Sequence, residues 1–331
     1  MCLLAWSWEP ESAVPLVLLS NRDEYYARPT RVLHAWRDSP IIAGQDLDHG
    51  GTWLGLSRNP DDPDRFRVAA LTNVCDACTP PRDTAHSRGT LVSAFLASST
   101  SARDYLLAIA PTVGMHNPFN LLLYDGRELL GFESRNAPSV INLAPGIAAV
   151  SNAGFDTPWP KVLAIKAALK AALHHADPNP NANSDPNNPN PNTNPNTDPD
   201  PNLHPDPDPD PDSNPDPYPH PLPSCDSLLA LLADPQPAPD DQLPDTGLPT
   251  ASERALSSVF IRTHDYGTRA SSVIVVRQAD PAHLAGRVDP AAGEFYPMAP
   301  SAEGVRVRHT AEIAECCFDA LGTAGLTRLA L

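Results

Sequence analysis

Long apolar runs are missing from this sequence, since no stretch of about 18 or more apolar residues occurs. This absence argues against a transmembrane helix. The start of the chain also lacks a basic segment, and Glu9, Pro10 and Glu11 interrupt its first apolar run. We therefore expect neither a secretory signal nor a mitochondrial presequence. The expected location is cytoplasmic, which is compatible with peripheral association with an organelle.

Positive charge is missing from one long part of the chain. Residues Ala171 to Ser252 contain no Lys or Arg but fourteen Asp, and removing these aspartates from the net charge of −17 leaves −3. The rest of the chain is therefore nearly neutral and shows no basic face. We expect no nucleic-acid partner, because such partners require clustered Lys and Arg.

Cysteine is too sparse for a disulfide framework. The six cysteines in 331 residues are Cys2, Cys75, Cys78, Cys225, Cys316 and Cys317. This number and spacing favour a reducing compartment. Cys75 and Cys78 form a lone CxxC motif without a second pair of ligands, so we expect no structural metal site.

Apolar side chains are scarce between residues 177 and 223, where 17 of 47 residues are Pro and most others are Asn or Asp. Such a segment cannot bury enough apolar surface to offset its ordering entropy. We predict a disordered insertion over residues 177–224. Residues 1–176 and 225–331 then form one domain.

Elsewhere the sequence predicts strands in pairs, followed by helices. The predicted strands are residues 2–8, 15–20, 66–74, 146–152 and 270–277, one strand after the glycine turn in 49–57, a hairpin turning at Asp125 and Gly126, and weaker strands in GEFYPM and RVRHT. Two helices are predicted to begin after Ser87 and Ser101, which act as their N-caps. Two further helices are predicted over TPWPKVLAIKAALKAALHH and SCDSLLALLAD. No βαβ alternation and no glycine-rich phosphate loop is present. This pattern favours an α+β fold with mainly antiparallel sheets.

The chain begins MCLLAWSW, with a cysteine directly after the initiator methionine. In one interpretation Cys2 is a small apolar residue in a buried strand. In the other, removal of Met1 gives Cys2 a thiol nucleophile and a free α-amine, whose ordinary pKa of ~7.7–8.0 suits it to act as a base. Partners for such a thiol must come from the rest of the chain.

Several apolar strands end in polar residues. The segment SNRDE places Arg22 and Asp23 at the end of the second strand, and antiparallel pairing would bring them beside Cys2. Asn73 and Asn152 end two further strands, where a side-chain amide can donate to an oxyanion or cap a turn. Arg269 precedes another strand, where it can bind a carboxylate or hold a loop.

The order of these motifs resembles the NRDE family, also called the transport and Golgi organisation family. The matching pieces are MCLLAW, SNRDEYYARP, GGTWLGLSRN, AALTNV, RGTLVSAFL, FNLLLYD, AVSNAGFDTPWPKV and YGTRASSVIVV. The resemblance covers the whole chain except about residues 177–224.

The resemblance implies an αββα sandwich similar to N-terminal nucleophile hydrolases of the cysteine type. It implies site roles for Cys2, the Arg22 and Asp23 pair, Asn152 with Asn73, and Arg269. Arg22 and Asp23 are adjacent here, which departs from the hydrolase pattern and makes Asp23 the better match. The family carries roles in Golgi organisation, secretion, and lipid and haem handling in cytoplasm and mitochondria.

Three functions stay open at this level. The first is a thiol amidase or acyl-transfer enzyme acting on a small, partly apolar substrate. The second is a non-catalytic carrier of haem, acyl-CoA or lipid, with a pocket lined by aromatic residues from Trp6, Trp8, Tyr25, Tyr26 and Trp53. The third is a scaffold that uses the insertion. No cofactor is required, and haem enters only as cargo.

Overall fold

The computed structural model describes residues 2–74, 82, 85–135, 138–174, 222–279, 308–319 and 324–331. The strands in these ranges are β1 (Cys2–Trp8), β2 (Leu16–Tyr25), β3 (Thr30–Ala35), β4 (Ile41–Asp46), β5 (Leu54–Arg58), β6 (Phe66–Asn73), β7 (Phe119–Tyr124), β8 (Leu129–Glu133), β9 (Ser139–Asn142), β10 (Gly146–Val150), β11 (Tyr266–Ala279), β12 (Arg308–Phe318) and β13 (Ala324–Ala330). The α-helices are α1 (Gly89–Ala97), α2 (Ala102–Ile109), α3 (Pro160–His174), α4 (Cys225–Ala230) and α5 (Thr250–Leu256).

The strands form two antiparallel sheets. The first has the order β10-β1-β2-β11-β12-β13, and the second runs from β3 to β9 in sequence order. The first sheet thus joins the two ends of the chain, because β1 and β2 pair with β10 on one side and with β11 on the other. This arrangement confirms the predicted α+β class with mainly antiparallel sheets.

Three apolar clusters define four layers. The central cluster lies between the two sheets and includes Trp6 and Leu56. A second cluster packs α3 and α4 on the outer face of the first sheet, and a third packs α1 and α2 on the outer face of the second. Helices, sheet, sheet and helices therefore follow one another, which is the predicted αββα sandwich.

Strands β1 and β2 are apolar on both faces because each face meets its own layer. Leu4 and Leu18 belong to the cluster between the sheets, whereas Leu3 and Leu19 belong to the cluster under α3. This burial explains the continuous apolar runs in these two strands. Their predicted hairpin is confirmed, with Leu4 opposite Ser20.

Several predicted boundaries are wrong. Strand β10 ends at Val150, so Asn152 follows the strand rather than ending it, and β11 begins at Tyr266, so Arg269 lies within the strand rather than before it. Strand β2 continues from Ser20 to Tyr25, because its polar residues pair in register with β11. Helix α1 begins after Arg88, so Ser87 is not its N-cap, and no side-chain bond caps it. The predicted cap of α2 is confirmed, since the Ser101 hydroxyl oxygen accepts from the Asp104 N–H at 3.1 Å.

Strands β3, β4, β9 and β13 were not predicted, and RVRHT marks only the beginning of the longer β12. Strand β3 mixes exposed and half-buried residues, so its sequence shows no regular alternation. The CxxC motif and the GEFYPM segment lie outside the described residues. The predicted insertion also lies outside the described residues, except for residues 222–224. Of these, Ser224 is the N-cap of α4.

Membrane-crossing helices are not found in the described ranges. None of the helices there is both long enough and apolar enough to span a bilayer.

Candidate active site

A cavity of about 420 Å³ opens where the ends of β1, β2 and β6 approach the start of α1. Its walls are formed by Cys2, Arg22, Asp23, Glu24, Arg28, Asp46, His49, Thr52, Trp53, Leu71, Asn73, Arg82, Ala85, His86, Ser87, Arg88, Gly89 and Asn117. Four of the six predicted site residues are in this set. Asn152 and Arg269 are not.

Strand register brings Cys2, Arg22 and Asp23 together. Cys2 lies directly opposite Arg22 in the antiparallel pair of β1 and β2. Directly opposed residues point to the same face, so both side chains face the space between the sheets. Asp23 is the next residue along β2 and also lines the cavity. Hairpin geometry thus produces the cluster that the sequence predicted.

The carboxylate of Asp23 is held as a hydrogen-bond acceptor. It is 3% exposed, and its Oδ1 accepts from the Thr268 hydroxyl at 2.7 Å. That hydroxyl itself accepts from the Ile261 N–H at 3.0 Å, so its own proton points to Asp23. Burial raises the pKa of Asp23, while the positive charges of the chain's amino group and of Lys161 lower it.

The thiol of Cys2 is buried, with 6% of the residue exposed. Burial raises its pKa, and the chain's amino group opposes this effect. The thiol is therefore mostly protonated at neutral pH, and a nucleophilic role would require a neighbouring base.

Arg22 supplies a buried cation opposite Cys2. Its guanidinium stacks on the Trp53 ring, with 4.4 Å from Cζ to the ring centre, and donates to the Thr30 hydroxyl at 3.2 Å. Glu24 lies 3.8 Å away. These contacts hold the guanidinium at the cavity wall. Trp6, Trp8 and Trp53 all belong to the cluster between the sheets, and of the aromatic residues of the predicted pocket Trp53 reaches this wall.

The two asparagines differ in what their amides contact. Asn152 is fully buried, its Nδ2 donates to the Asn73 carbonyl at 2.8 Å, and its Oδ1 lies 2.9 Å from the Ser151 hydroxyl. Asn73 lines the cavity, and no other described residue forms a hydrogen bond with its side-chain amide. Asn152 therefore supports Asn73, and Asn73 is the asparagine of the two that lines the cavity.

Arg269 is the extra residue of a bulge in β11, between the pairs formed by Thr268 and Ala270. Its Nη1 donates to the carbonyls of Tyr25, Tyr26 and Arg28, at 3.0, 2.7 and 3.2 Å. Its Nε donates to the Phe318 carbonyl at 3.1 Å. The guanidinium thus holds the loop after β2, which carries Arg28 into the cavity wall.

Asn21 belongs to the same polar segment but faces away from the cavity. Its Nδ2 donates to the carbonyls of Leu232 and Val259 at 2.9 and 2.8 Å, and its Oδ1 accepts from the Ser271 hydroxyl at 2.7 Å. Asn21 therefore holds the segment after α4 against the first sheet. The alternation of strand β2 separates this structural residue from Arg22.

Sequence reasoning missed part of the wall. Arg28 donates to Asp46 at 2.6 Å and lies 2.8 Å from Nδ1 of His49. The sequence signal for this part of the wall is the glycine turn HGG, because it begins with His49. Lys161, which is 3% exposed, is a second residue that was missed.

Metal ligands do not gather at the cavity. Within the part of the chain that the structure describes, no group of three or more His, Cys, Asp or Glu side chains is placed to hold a metal ion.

The residues that build the cavity lie in the part of the chain that matches known proteins. Residues 1–197 and 219–287 match the family described as Transport and Golgi organisation 2. The chain is 33% identical over 190 residues to the mouse Transport and Golgi organization 2 homolog, and this alignment covers 54% of this chain and 66% of that protein. It is 34% identical over 176 residues to the human Transport and Golgi organization protein 2 homolog, and this alignment covers 49% of this chain and 60% of that protein. The match thus spans less than two thirds of either relative.

Among solved structures, the chain is similar to a Caenorhabditis elegans N-acylethanolamine-hydrolyzing acid amidase ortholog. The TM-score is 0.37 and the identity 9%, over 51% of this chain and 78% of that one. The family match is more extensive, because it takes in all the segments that build the cavity. The chain belongs to the Transport and Golgi organisation 2 family.

Proposed function

We propose that this protein is a thiol hydrolase or acyl-transfer enzyme that uses Cys2 as its nucleophile on an amide or thioester. The observation that supports the proposal is that Cys2, Asp23 and Asn73 line one cavity. A nucleophile, a charge that orients its base and an oxyanion donor are the three parts that acyl transfer needs.

The proposed reaction begins once Met1 has been removed. The α-amine of Cys2 takes the thiol proton, and the sulfur attacks the substrate carbonyl carbon. The C–N or C–S bond of the substrate then breaks, and the leaving group takes the proton from the ammonium. Water attacks the resulting thioester on Cys2, which releases the acid and restores the thiol. Asp23 orients the amine throughout.

The tetrahedral intermediate places negative charge on the former carbonyl oxygen. We assign the Asn73 side chain as its donor, since Asn73 lines the cavity, while Asn152 supports the Asn73 backbone. Donors of this kind contribute roughly 3 kcal/mol each. Arg269 acts through the loop that it holds, and Arg22 provides a fixed cation opposite the sulfur.

The cavity lining favours a small substrate with polar groups. Trp53 and Leu71 are the large apolar residues among its described walls, and most other wall residues carry charges or amides. Haem or a lipid chain needs more apolar contact than these two side chains provide. Non-catalytic carriage of haem, acyl-CoA or lipid is the alternative function that the experiment below separates.

The proposed cellular role is based on the names of the relatives. Proteins of this family are named for transport and Golgi organisation. We propose that this chain acts in the cytoplasm on molecules that affect Golgi organisation, secretion, and lipid or haem homeostasis, including at mitochondria.

Intact-protein mass spectrometry before and after alkylation at neutral pH tests the nucleophile. The expected result is loss of Met1 and a single fast adduct on Cys2. Hydrolysis of a panel of amides and thioesters should then fall by at least about 1,000-fold in Cys2→Ala, as removal of a nucleophile does.

The matched control is Cys225→Ala, because Cys225 lies outside the cavity and burial raises the pKa of its thiol to about 11. This variant should keep full turnover. Retention of Met1, or turnover that survives Cys2→Ala, contradicts the enzyme proposal. Purified protein carrying a Soret band or bound lipid favours the carrier.

A further inference from the structure

Lys161 occupies a place where a lysine is costly. It is the second residue of α3 and is only 3% exposed. Burying an ammonium group is unfavourable unless it is paired, and a cation at a helix N-terminus also opposes the helix dipole. A lysine in this position therefore requires specific partners.

Its described partner belongs to the Cys2 centre. The Nζ of Lys161 donates to Oδ1 of Asn152 at 3.3 Å. This bond fixes which end of the Asn152 amide is the acceptor, so that Nδ2 points to the Asn73 carbonyl. Lys161 thus controls the support of the proposed oxyanion donor.

Ser151 connects the same bond to Cys2. Its hydroxyl has one proton and lies 3.0 Å from the Cys2 carbonyl oxygen and 2.9 Å from Oδ1 of Asn152. Both of these oxygens are acceptors, so the hydroxyl cannot serve both at once. Because Lys161 donates to Asn152, the Ser151 proton is free to hold the backbone of Cys2.

Charge provides a second connection. The ammonium of Lys161 lowers the pKa of Asp23, which places it among the charges that act on that carboxylate. The charged groups that face Cys2 are Arg22, Asp23 and the chain's amino group. Lys161 also lines a small cavity at the start of α3 together with Glu253.

We infer that Lys161 is a positioning residue of the Cys2 centre, which holds Asn152 in place and shares the Asp23 carboxylate with the N-terminal amine. The inference rests on the proposed function. A carboxylate paired with the amine alone would favour the ammonium, which cannot accept the thiol proton. A second cation beside that carboxylate offsets the effect and keeps the amine available as a base at neutral pH.

The pH dependence of Cys2 alkylation in the full chain tests this inference. By this inference, removing the Lys161 cation raises the pKa of the amine, which can then take the thiol proton only at higher pH. Lys161→Met should therefore move the half-maximal pH of alkylation upward by about 0.5 to 1 unit. Lys161→Arg keeps the charge and a donor, and it should recover at least half of that shift. With an active substrate, Lys161→Met should lower kcat more than it changes KM.

Lys166→Met is the matched control. Lys166 lies on the same helix, but its Nζ pairs with Asp156 at 2.6 Å on the surface. This variant should leave the pH profile unchanged. If Lys161→Met does not fold, Lys161→Gln keeps a donor for Asn152 without the charge, and it should show the upward shift.

An unshifted profile in a folded Lys161→Met or Lys161→Gln protein overturns the inference. The proposed function fails by different results, namely retained Met1 or turnover that does not depend on Cys2. The two failures are therefore distinguishable.

Discussion

Asn21, Arg22 and Asp23 are consecutive in β2, and strand alternation gives them different surroundings. Asn21 satisfies two carbonyls on the outer face, Arg22 stacks on Trp53 on the inner face, and Asp23 accepts from Thr268. Each group is satisfied because buried polar side chains are costly without partners. At the scale of single residues, the face on which a side chain lies separates Asn21 from Arg22, and its hydrogen-bond partner separates Asn21 from Asp23.

His309 is a buried residue that should affect stability rather than activity. It lies in β12, is 4% exposed, and its ring stacks on that of Tyr124 at 6.2 Å. Burial lowers the pKa of His309 to about 4, which the nearby charge of Arg65 reinforces and that of Asp62 opposes. The unfolded state then takes up a proton near pH 6.5 that the folded state does not bind until about pH 4.

Stability should consequently fall as pH decreases through this range. We expect a His309 contribution of about 1 kcal/mol between pH 7 and pH 5, after allowance for solvent screening. Denaturant unfolding at both pH values measures it, and His309→Phe should lose about this much less stability on acidification than the wild type. Equal losses in the two proteins would contradict the assignment.

At the scale of elements, the cavity depends on close contact between the segment before β5 and the start of α1. The Thr52 N–H donates to the Gly89 carbonyl at 3.2 Å. A Cβ placed on Gly51 would lie 2.4 Å from the carbonyl carbon of Gly89 and 2.7 Å from the Thr90 nitrogen. Both are backbone atoms, so only glycine permits this approach.

Gly51→Ala should therefore force the two elements apart. We expect a loss of about 1–3 kcal/mol in the free energy of unfolding, as for other overpacked sites. Denaturant titration measures this loss. The control is Gly114→Ala, where the added Cβ meets no atom within 4 Å. The control should stay within about 0.5 kcal/mol of wild type, and an equally stable Gly51→Ala would show that this contact is not needed.

At the scale of the whole molecule, residues 198–218 stand apart from the family. The family match ends at residue 197 and resumes at 219. The skipped segment consists mainly of Pro and Asp, with Leu203 and Tyr218 as its apolar residues. The unmatched residues 198–218 are therefore only the middle part of the insertion predicted over residues 177–224.

Deletion of residues 198–218 should leave the folded domain intact. Shortening a long loop changes its closure entropy by only about 0.6 kcal/mol for each halving of length. We expect the free energy of unfolding to change by less than about 1 kcal/mol and the rate of Cys2 alkylation to stay the same. Denaturant unfolding and intact-mass labelling measure both quantities, and loss of folding would show that the segment belongs to the domain.

Local patterns in the sequence were sufficient for the hairpin of β1 and β2, the antiparallel class and the Ser101 cap. Each depends on neighbours along the chain, through alternation, turn residues or a single capping side chain. The pairing of β1 with β2 also placed Cys2 beside Arg22 and Asp23. Strands β3 and β9 were missed because their exposed and half-buried residues do not alternate clearly.

The sequence by itself determined the family, the layers and the hairpin that joins Cys2 to Asp23. Only the tertiary structure decided which other polar residues meet them. Asn73 ends a strand of the second sheet, Asn152 follows a strand of the first, Lys161 reaches Asn152 from a helix, and Arg269 points to the loop after β2 because of a bulge. These contacts join residues far apart in the chain, and the side chains of Asn152, Lys161 and Arg269 find their hydrogen-bond partners only in the packed layers.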